Sequence, residues 1–347
     1  MLFKDLDIKK LPSGTEEYDA LKRNLSTFQV SMSWETLKPI IDTAELTYLL
    51  PTIGQELYDE LNTDYAAYPG AALAPGPKAL IRKLQKAMAY FTWLTALPEL
   101  ITSMGDMGVK ESTDTNSTAL IPRQWTYKQA LINSFKTGNL FLEQALAYLE
   151  ANADIFTTWT ESAAYTKSKE LFFNSAQELE DFLPCKTGRI VYCQLRPFIR
   201  KAEKKYILPV IGKELFDELK TAIVDRTLTE VQKDLINEIR EALSEWSLQY
   251  AIPFLRIEIV DGLLEPALDT DGMFQRDKPS EDTVRSLWVN LQDGGRFFLT
   301  RLKTYLTQNI DDFPTYANSS AYEQKTPFTG FITDTDGDND NAVIGFG

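Results

Sequence analysis

The stretch LLPTIGQELYDEL, from Leu49 to Leu61, returns as ILPVIGKELFDEL, from Ile207 to Leu219. Nine of the thirteen positions are identical, and the two stretches lie 158 residues apart. Two unrelated segments rarely agree to this extent, and self-similarity at a fixed offset is typical of an internal repeat. The question is how far the similarity extends on either side of the thirteen residues.

The similarity runs along most of the chain. At the offset of 158, Glu45 corresponds to Glu203. Two further stretches align at offsets of 155 and 157, namely residues 79–100 with 234–255 and residues 148–165 with 305–322. The small drift of the offset is what insertions and deletions in loops produce. The sequence therefore predicts two copies of one unit of about 170 residues.

The unit is predicted to be mainly helical, which places the chain in the all-α class. Apolar residues recur at spacings of three and four between Leu37 and Tyr48, as they do in an amphipathic helix. The same spacing predicts long helices over about 77–104, 127–150 and 281–307.

Proline and glycine residues are predicted to set the ends and the bends of these helices. Pro51 is predicted to stop the first helix, and Gly54 to allow the turn that follows. Pro98 and its counterpart Pro253 are expected to kink or end the second helix. The loops 105–123 and 260–280 are predicted to be irregular, with room for short extended pieces in the first.

The repeat divides the chain into domains 1–173 and 174–332, with an acidic tail over 333–347. A chain of 347 residues is long enough for two domains that each bury a core. No linker rich in glycine or serine separates the copies, so the two halves are expected to pack against each other.

Composition narrows the possible functions. The formal net charge is −14, which disfavours a protein that grips nucleic-acid phosphates. The basic run RKAEKK, from Arg200 to Lys205, is interpreted as a solvated helix face. The chain contains no histidine, so Ser-His-Asp and Cys-His catalysis are excluded. We identify no catalytic, cofactor-binding or metal-binding residues, and we expect a protein that is not an enzyme.

Two further features of the sequence indicate the cellular compartment in which the protein is made. The two cysteines, Cys185 and Cys193, lie in the second copy only, so they are interpreted as reduced thiols of a protein made in a cytoplasm. The N-terminal stretch MLFKDLDIKKLPSG carries charges where a signal peptide needs an apolar run. No apolar run is long enough to cross a membrane, and no membrane association is expected.

The repeated motif carries carboxylates at helical spacing, Glu56 with Glu60 and Glu214 with Glu218. Such pairs can bind a metal ion, but they equally suit the exposed face of a short helix whose leucines point inward. The exposed face is the interpretation that we adopt.

The tail contains DTDGDND, from Asp334 to Asp340. A calcium loop needs a glycine at its sixth position and a glutamate at its twelfth, and this segment has neither. A plain acidic tail and a peptide that becomes ordered on a partner are the other interpretations. The candidate partner-docking residues are Asp334, Asp336, Asp338, Asp340, Val343, Ile344 and Phe346.

The pattern AExxYLLPTIGQELYDEL, over 44–61, followed by a long helix with a proline and by YLxxNxxxFxxW, resembles an uncharacterised family of tailed phages, crAss-like phages among them, and of prophages in gut Bacteroides-type bacteria. Its members are similar in character to helical head–tail connector, or adaptor, proteins. The family has no catalytic residues to carry over.

The resemblance implies a virion structural protein at the junction of portal and tail. Such connectors form homo-oligomeric rings, commonly twelvefold, that contact the portal and the tail or further ring proteins, and DNA passes through them without specific binding. The doubled unit leaves the number of subunits open. The alternatives are a metal-dependent carboxylate enzyme or accessory factor of phage assembly, and an internal cargo protein.

Overall fold

Two similar sets of helices follow one another along the chain in the computed structural model. The structure describes residues 2–3, 34–68, 72–105, 108–111, 124–183, 188–254, 257–260, 263–266 and 281–322. The mainly helical fold class and the tandem duplication are confirmed, because the same elements recur in the same order.

The first set, unit one, has seven helices among its described residues. A π-helical turn, Glu45–Leu49, joins the first helix to the second. The helices are α1 (Trp34–Ala44), α2 (Leu50–Ile53), α3 (Gln55–Ala67), α4 (Pro75–Ile101), α5 (Gln124–Ala151), α6 (Thr157–Thr160) and α7 (Ala163–Ser168).

The second set, unit two, repeats this order. Its π-helical turn is Glu203–Ile207, and a 3₁₀ turn, Ile310–Asp312, precedes its last helix. The helices are α8 (Ala176–Glu180), α9 (Gly188–Ala202), α10 (Leu208–Ile211), α11 (Lys213–Asp225), α12 (Glu230–Ala251), α13 (Glu281–Gln308) and α14 (Pro314–Ala317). Helices α9 to α13 correspond in order to α1 to α5.

The prediction that Pro51 stops the first helix is wrong. Helical backbone continues to Ile53 and ends at Gly54, whose φ is 85°. The π-helical turn just before the proline is the reason. There the Leu50 N–H donates to the carbonyl of Glu45, five residues back, so the helix is already widened where a proline ring would otherwise strike the preceding turn. Unit two repeats this arrangement with Pro209 and Gly212.

Both irregular loops begin with a short antiparallel hairpin. Strands β1 (Thr102–Gly105) and β2 (Gly108–Glu111) pair in unit one, and β3 (Ile257–Val260) and β4 (Leu263–Pro266) pair in unit two. Strands β1 and β2 are short extended pieces of the kind for which the sequence left room in the first loop. The second loop, which was predicted to be irregular, has the same hairpin.

Each unit has its own hydrophobic core, in which its long helices pack on each other. The segment Leu171–Phe173 packs in the second core, although it lies just before the predicted start of the second domain. The limits 1–173 and 174–332 stay predictions, and the tail 333–347 lies outside the described residues.

A stacked aromatic pair recurs in both cores. The Tyr48 ring stacks on Phe91 with 4.2 Å between ring centroids. At the corresponding positions of unit two, Tyr206 stacks on Trp246 at 3.8 Å. A glycine of the third long helix covers the other face of each buried ring. A Cβ atom at Gly138 would lie 2.8 Å from Phe91, and one at Gly295 would lie 2.6 Å from Trp246.

The repeated Leu49–Leu61 motif also has a packing role. Gly54 turns the chain under the segment after α5, where an added Cβ would lie 3.1 Å from Cβ of Ala164. Gly212 makes the same approach to Ser319, at 3.0 Å. The positive φ and this close approach require glycine at both positions, which explains why the motif recurs.

Substitution of Gly295 tests the close helix crossing. We expect Gly295→Ala to lower the free energy of unfolding by about 1–2 kcal/mol, because the overpacking penalty against the Trp246 ring exceeds the gain in helix propensity. The neighbouring variant Gly294→Ala is the control, since its Cβ would meet only the movable side chain of Glu245, at 3.2 Å.

Urea denaturation monitored by circular dichroism measures the free energy of unfolding of both variants. The control should be neutral or slightly stabilised. Equal stability of the two variants would show that the crossing can relax and that the glycine is not needed for close packing.

Candidate functional site: a basic cleft at the junction of the units

A buried carboxylate on the π-helical turn holds an extended arm in unit one. The Leu2 N–H donates to Oε1 of Glu45 at 2.7 Å, and the Gln85 side-chain amide donates to the Leu2 carbonyl at 2.8 Å. The Tyr58 hydroxyl donates to the other carboxylate oxygen at 2.5 Å. Glu45 is only 1% exposed, so these donors replace the water that the carboxylate loses on folding.

Unit two has the same arrangement, a buried carboxylate that binds the backbone N–H of an extended segment, which we call the arm clamp. The side chains around the carboxylate differ. The Phe172 N–H donates to Glu203 at 2.6 Å, and Nε of Arg240 donates to the Phe172 carbonyl at 2.9 Å. Nζ of Lys220 lies 3.0 Å from both oxygens of Glu203. Lys220 occupies the position of Asn62 in unit one, so a basic side chain stands here where unit one has an amide.

Burial dominates the electrostatics of this pair. It lowers the pKa of Lys220 to about 8, although the Glu203 carboxylate acts in the opposite direction. Burial likewise raises the pKa of Glu203, while Lys220 and the Phe172 amide oppose that rise. Three hydrogen bonds to one carboxylate favour its ionised form, so we assign an ion pair at pH 7. The ammonium also lies 3.7 Å from the Phe172 ring centroid, a cation–π distance.

The pair lines an open cleft of about 660 Å³ between the two units. Unit one contributes α7 and the residues that follow it, and unit two contributes α9, its π-helical turn and α11. The lining residues are Ala163, Thr166, Lys167, Lys169, Glu170, Leu171, Arg200, Glu203, Lys204, Phe216, Lys220 and Val224. Five of the twelve are basic and two are acidic, on a chain of net charge −14.

The charges of the cleft are partly compensated. Arg200 binds Glu170 through two hydrogen bonds, of 2.8 and 2.6 Å, and this bond lowers the pKa of Glu170. Lys169 pairs with Glu150 at 2.7 Å. Lys167 and Lys204 form no ion pair with any other residue that the structure describes. The cleft therefore suits a group that carries negative charge, such as a carboxylate.

Contacts around the cleft fasten one unit to the other, as expected from the missing linker. Arg189 pairs with Glu143 at 2.9 Å, and Arg226 donates to the Glu150 carbonyl at 2.9 Å. The Tyr165 hydroxyl donates to a backbone carbonyl of unit two, that of Val224, at 3.3 Å.

The sequence-predicted candidates fall elsewhere. Glu56, Glu60, Glu214 and Glu218 are exposed, in agreement with the interpretation that we adopted, and Glu218 accepts hydrogen bonds from Gln232 and Thr315. Within the described ranges, no group of three or more acidic or cysteine side chains is placed to hold a metal ion. The partner-docking residues Asp334, Asp336, Asp338, Asp340, Val343, Ile344 and Phe346 lie outside the described residues.

The sequence reasoning missed the buried pair and the cleft. Lys201, Lys204 and Lys205 of the basic run are exposed, in agreement with a solvated helix face, and Arg200 and Lys204 also line the cleft. One signal was available, because a glutamate recurs at positions 45 and 203 among apolar residues of a helix in both copies. A charged residue that is shared at a core position indicates a buried polar contact. Cys193 is a free, exposed thiol, and Cys185 lies outside the described residues.

Substitution of Glu45 and of Glu203 tests whether the two buried carboxylates contribute differently to the free energy of unfolding. We expect Glu203→Gln to lower the free energy of unfolding by about 3–5 kcal/mol, because the buried Lys220 ammonium loses its counter-charge. The matched variant Glu45→Gln should cost only about 1–2 kcal/mol, since its amide can still accept from Leu2 and donate to Tyr58.

Urea denaturation at pH 7 measures both costs. The double variant Glu203→Gln with Lys220→Asn, which removes both charges of the pair, should recover part of the loss. Equal costs for the two glutamines, with no recovery in the double variant, would contradict a charged Lys220.

None of the helices in the described part of the chain combines the length and the hydropathy that a membrane crossing needs.

Comparison with known proteins gives one match. No curated protein and no solved structure matches the chain. A protein family of unknown function, DUF6712, matches residues 49–169 and again residues 207–326, well over half of the chain. The chain therefore belongs to the DUF6712 family and carries two copies of its domain.

Proposed function

We propose that the chain is a structural subunit of a tailed-phage particle. In this role it forms a ring-shaped head–tail connector between the portal and the tail, and DNA passes through the ring. The observation that carries the proposal is the junction between the units, where charged side chains fasten one copy of a domain to the next. A chain that already joins two copies of one domain in this way is suited to building larger assemblies of that domain.

The junction joins two different surfaces of the domain, which supports this role. Unit one contributes α5, α7 and the chain that follows, whereas unit two contributes α9 and the end of α11. The two surfaces are different, so the contact is heterologous. Repetition of a heterologous contact produces rings or filaments, rather than the closed pairs that a self-complementary surface gives.

The charge of the chain also supports it. A net charge of −14 gives a protein that repels the DNA backbone. A ring with an acidic lumen lets the duplex slide, whereas rows of lysine and arginine would hold it by releasing counterions. The resemblance of the repeated motif to connector-like phage proteins points in the same direction.

Imaging tests the ring. We expect negative-stain electron microscopy of the purified full chain, mixed with the portal protein of the same genome, to show rings that are stacked on the portal. Mass spectrometry should find the chain in purified particles. A monomer that is absent from particles and hydrolyses a nucleotide or glycoside with Mg²⁺ would favour the enzyme alternative. A chain found inside the capsid, away from the portal, would favour the cargo alternative.

The acidic tail is proposed to dock on a neighbouring subunit or on the portal. It is too polar to bury enough apolar surface of its own, yet it ends with Val343, Ile344 and Phe346, which can fill small pockets. Deletion of residues 334–347 should leave the helical content and the melting temperature nearly unchanged. It should abolish association with the ring or the portal in gel filtration. Normal assembly of the truncated chain would refute the docking role.

A further inference from the structure

The cleft at the junction has two cations that no carboxylate neutralises among the described residues. Three of its five basic side chains pair with carboxylates, as described above. The other two, Lys167 and Lys204, form no ion pair with any residue in the described part of the chain, and both are exposed. Lys167 belongs to α7 and Lys204 to the π-helical turn of unit two, so each unit supplies one of them. The cleft therefore favours a ligand that carries more than one negative charge.

The walls of the cleft are held in place before any ligand binds. Arg196 donates to the carbonyl of Lys167 at 2.7 Å, which fixes the end of α7 on α9. The two hydrogen bonds between Arg200 and Glu170 fix the chain after α7 on the same helix. The volume of about 660 Å³ lies within the range of roughly 300–1,000 Å³ that is typical of ligand pockets. A preformed site avoids part of the entropy cost of binding.

The cleft also has an apolar surface. Phe216 and Val224 line it and are half-buried, and the exposed Ala163 lines it as well. A small free anion such as phosphate would leave this surface uncovered. A peptide that carries both carboxylates and apolar side chains matches the cleft more completely, because ligand pockets combine apolar walls with a few polar groups that fix orientation.

The basic character belongs to this cleft and not to the shared fold. Arg200 and Lys204 correspond at the offset of 158 to Asp42 and Leu46 of unit one. Unit one forms the same elements with an acidic and an apolar residue at these positions, so the fold does not require a cation at position 204. The cations around one cleft repel each other, and bound carboxylates would relieve that repulsion.

The chain itself supplies a segment of matching chemistry. Residues 334–340, DTDGDND, carry an aspartate at every second position, and the apolar stretch VIGF follows over 343–346. Side chains at alternate positions of an extended peptide project to the same side. An extended segment 334–340 would therefore present four carboxylates along one edge. On a chain of net charge −14, a basic cleft is a surface that such a segment meets without repulsion.

The repeat indicates which copy supplies the segment. In unit one the chain after Tyr165 leaves its own unit and lies against the next, where Glu203 accepts from the Phe172 N–H at 2.6 Å. Tyr322 corresponds to Tyr165. The same course after Tyr322 leads away from unit two, towards a domain that follows it. The chain carries two copies of the domain, so we assign that following domain to a second copy. The eleven residues 323–333 can span up to about 40 Å.

We infer that the cleft binds the acidic segment 334–340 of a second copy of this chain, with Val343, Ile344 and Phe346 packed beside Phe216 and Val224. The inference rests on the docking of the tail under the proposed function and adds the site at which it docks. Cleft and tail are different surfaces, so the contact is heterologous and successive copies add head to tail.

The first test asks where the tail binds. An equal mixture of unlabelled full-length chain and chain labelled with heavy nitrogen is treated with a carbodiimide, which condenses a carboxylate and a lysine amine to an amide and takes up the water. Mass spectrometry should find crosslinks from the segment 334–340 to Lys167 or Lys204. These crosslinks should include pairs of one light and one heavy partner.

The second test changes the cleft in the full-length chain. Lys167→Glu with Lys204→Glu replaces both uncompensated cations with carboxylates. The dissociation constant of self-association, measured by sedimentation velocity, should rise at least about tenfold, because like charges across an interface oppose binding. Higher salt should also weaken the association of the wild type, since salt screens exposed charges.

The matched control is Lys38→Glu with Lys303→Glu. Both lysines are exposed, lie on helices and are absent from the lining of the cleft. The control has the same net charge as the cleft variant and should associate like the wild type. Circular dichroism should give the same melting temperature for both variants, which separates lost association from lost folding.

A third variant changes the tail and leaves the cleft intact. Substitution of asparagine for Asp334, Asp336, Asp338 and Asp340 removes the charge of the segment with little change of side-chain volume. It should weaken self-association to a similar extent as the cleft variant. This variant decides the matter if the cleft variant fails to fold.

Four outcomes would overturn the inference. They are a wild type that stays monomeric at its highest soluble concentration, crosslinks that join only partners of the same isotope, a cleft or tail variant that associates like the wild type, and a control that loses as much as the cleft variant. A tail that binds the cleft in a protein absent from phage particles would support the inference and refute the connector function. A ring on the portal that forms equally well from the cleft variant would support the connector function and refute the inference.

Discussion

The carboxylate of the π-helical turn, Glu45 in unit one and Glu203 in unit two, is the contact on which each unit depends. It lies in the core, where an ionised group is costly unless donors surround it. One of its donors is always the backbone N–H of the arm, at Leu2 or Phe172. The carboxylate thus joins the arm, the first helix and α3 or α11 at one point. Loss of its donors would leave a buried charge without compensation.

The π-helical turn gives this carboxylate its position. The widened turn carries Glu45 and Tyr48 in unit one, so it supplies both the arm clamp and the ring that stacks on Phe91. The proline and glycine of the repeated motif follow at once and direct the chain into the next helix. The motif Leu49–Leu61 is therefore preserved between the copies because it shapes the backbone around the clamp, and its exposed glutamates need no binding role.

The helices could be predicted from the sequence, because apolar spacing is a local property that survives in both copies. The arm clamp could not, since Leu2 and Glu45 are 43 positions apart and no local pattern indicates their hydrogen bond. The role of Pro51 was misread because its effect depends on the π-helical turn before it. The cleft also could not be predicted from the sequence. Lys167, Arg200 and Lys220 come from separate helices, and the basic run that includes Arg200 does not indicate that the other two lie beside it.

The two clamps have diverged where the units meet. In unit one Tyr58 completes a hydrogen-bonded network, whereas in unit two Lys220 forms an ion pair beside Phe216 and opens onto the junction cleft. The buried charge thus stands where the two units of one chain are joined. In the ring proposed above, every second junction between domains would be intramolecular.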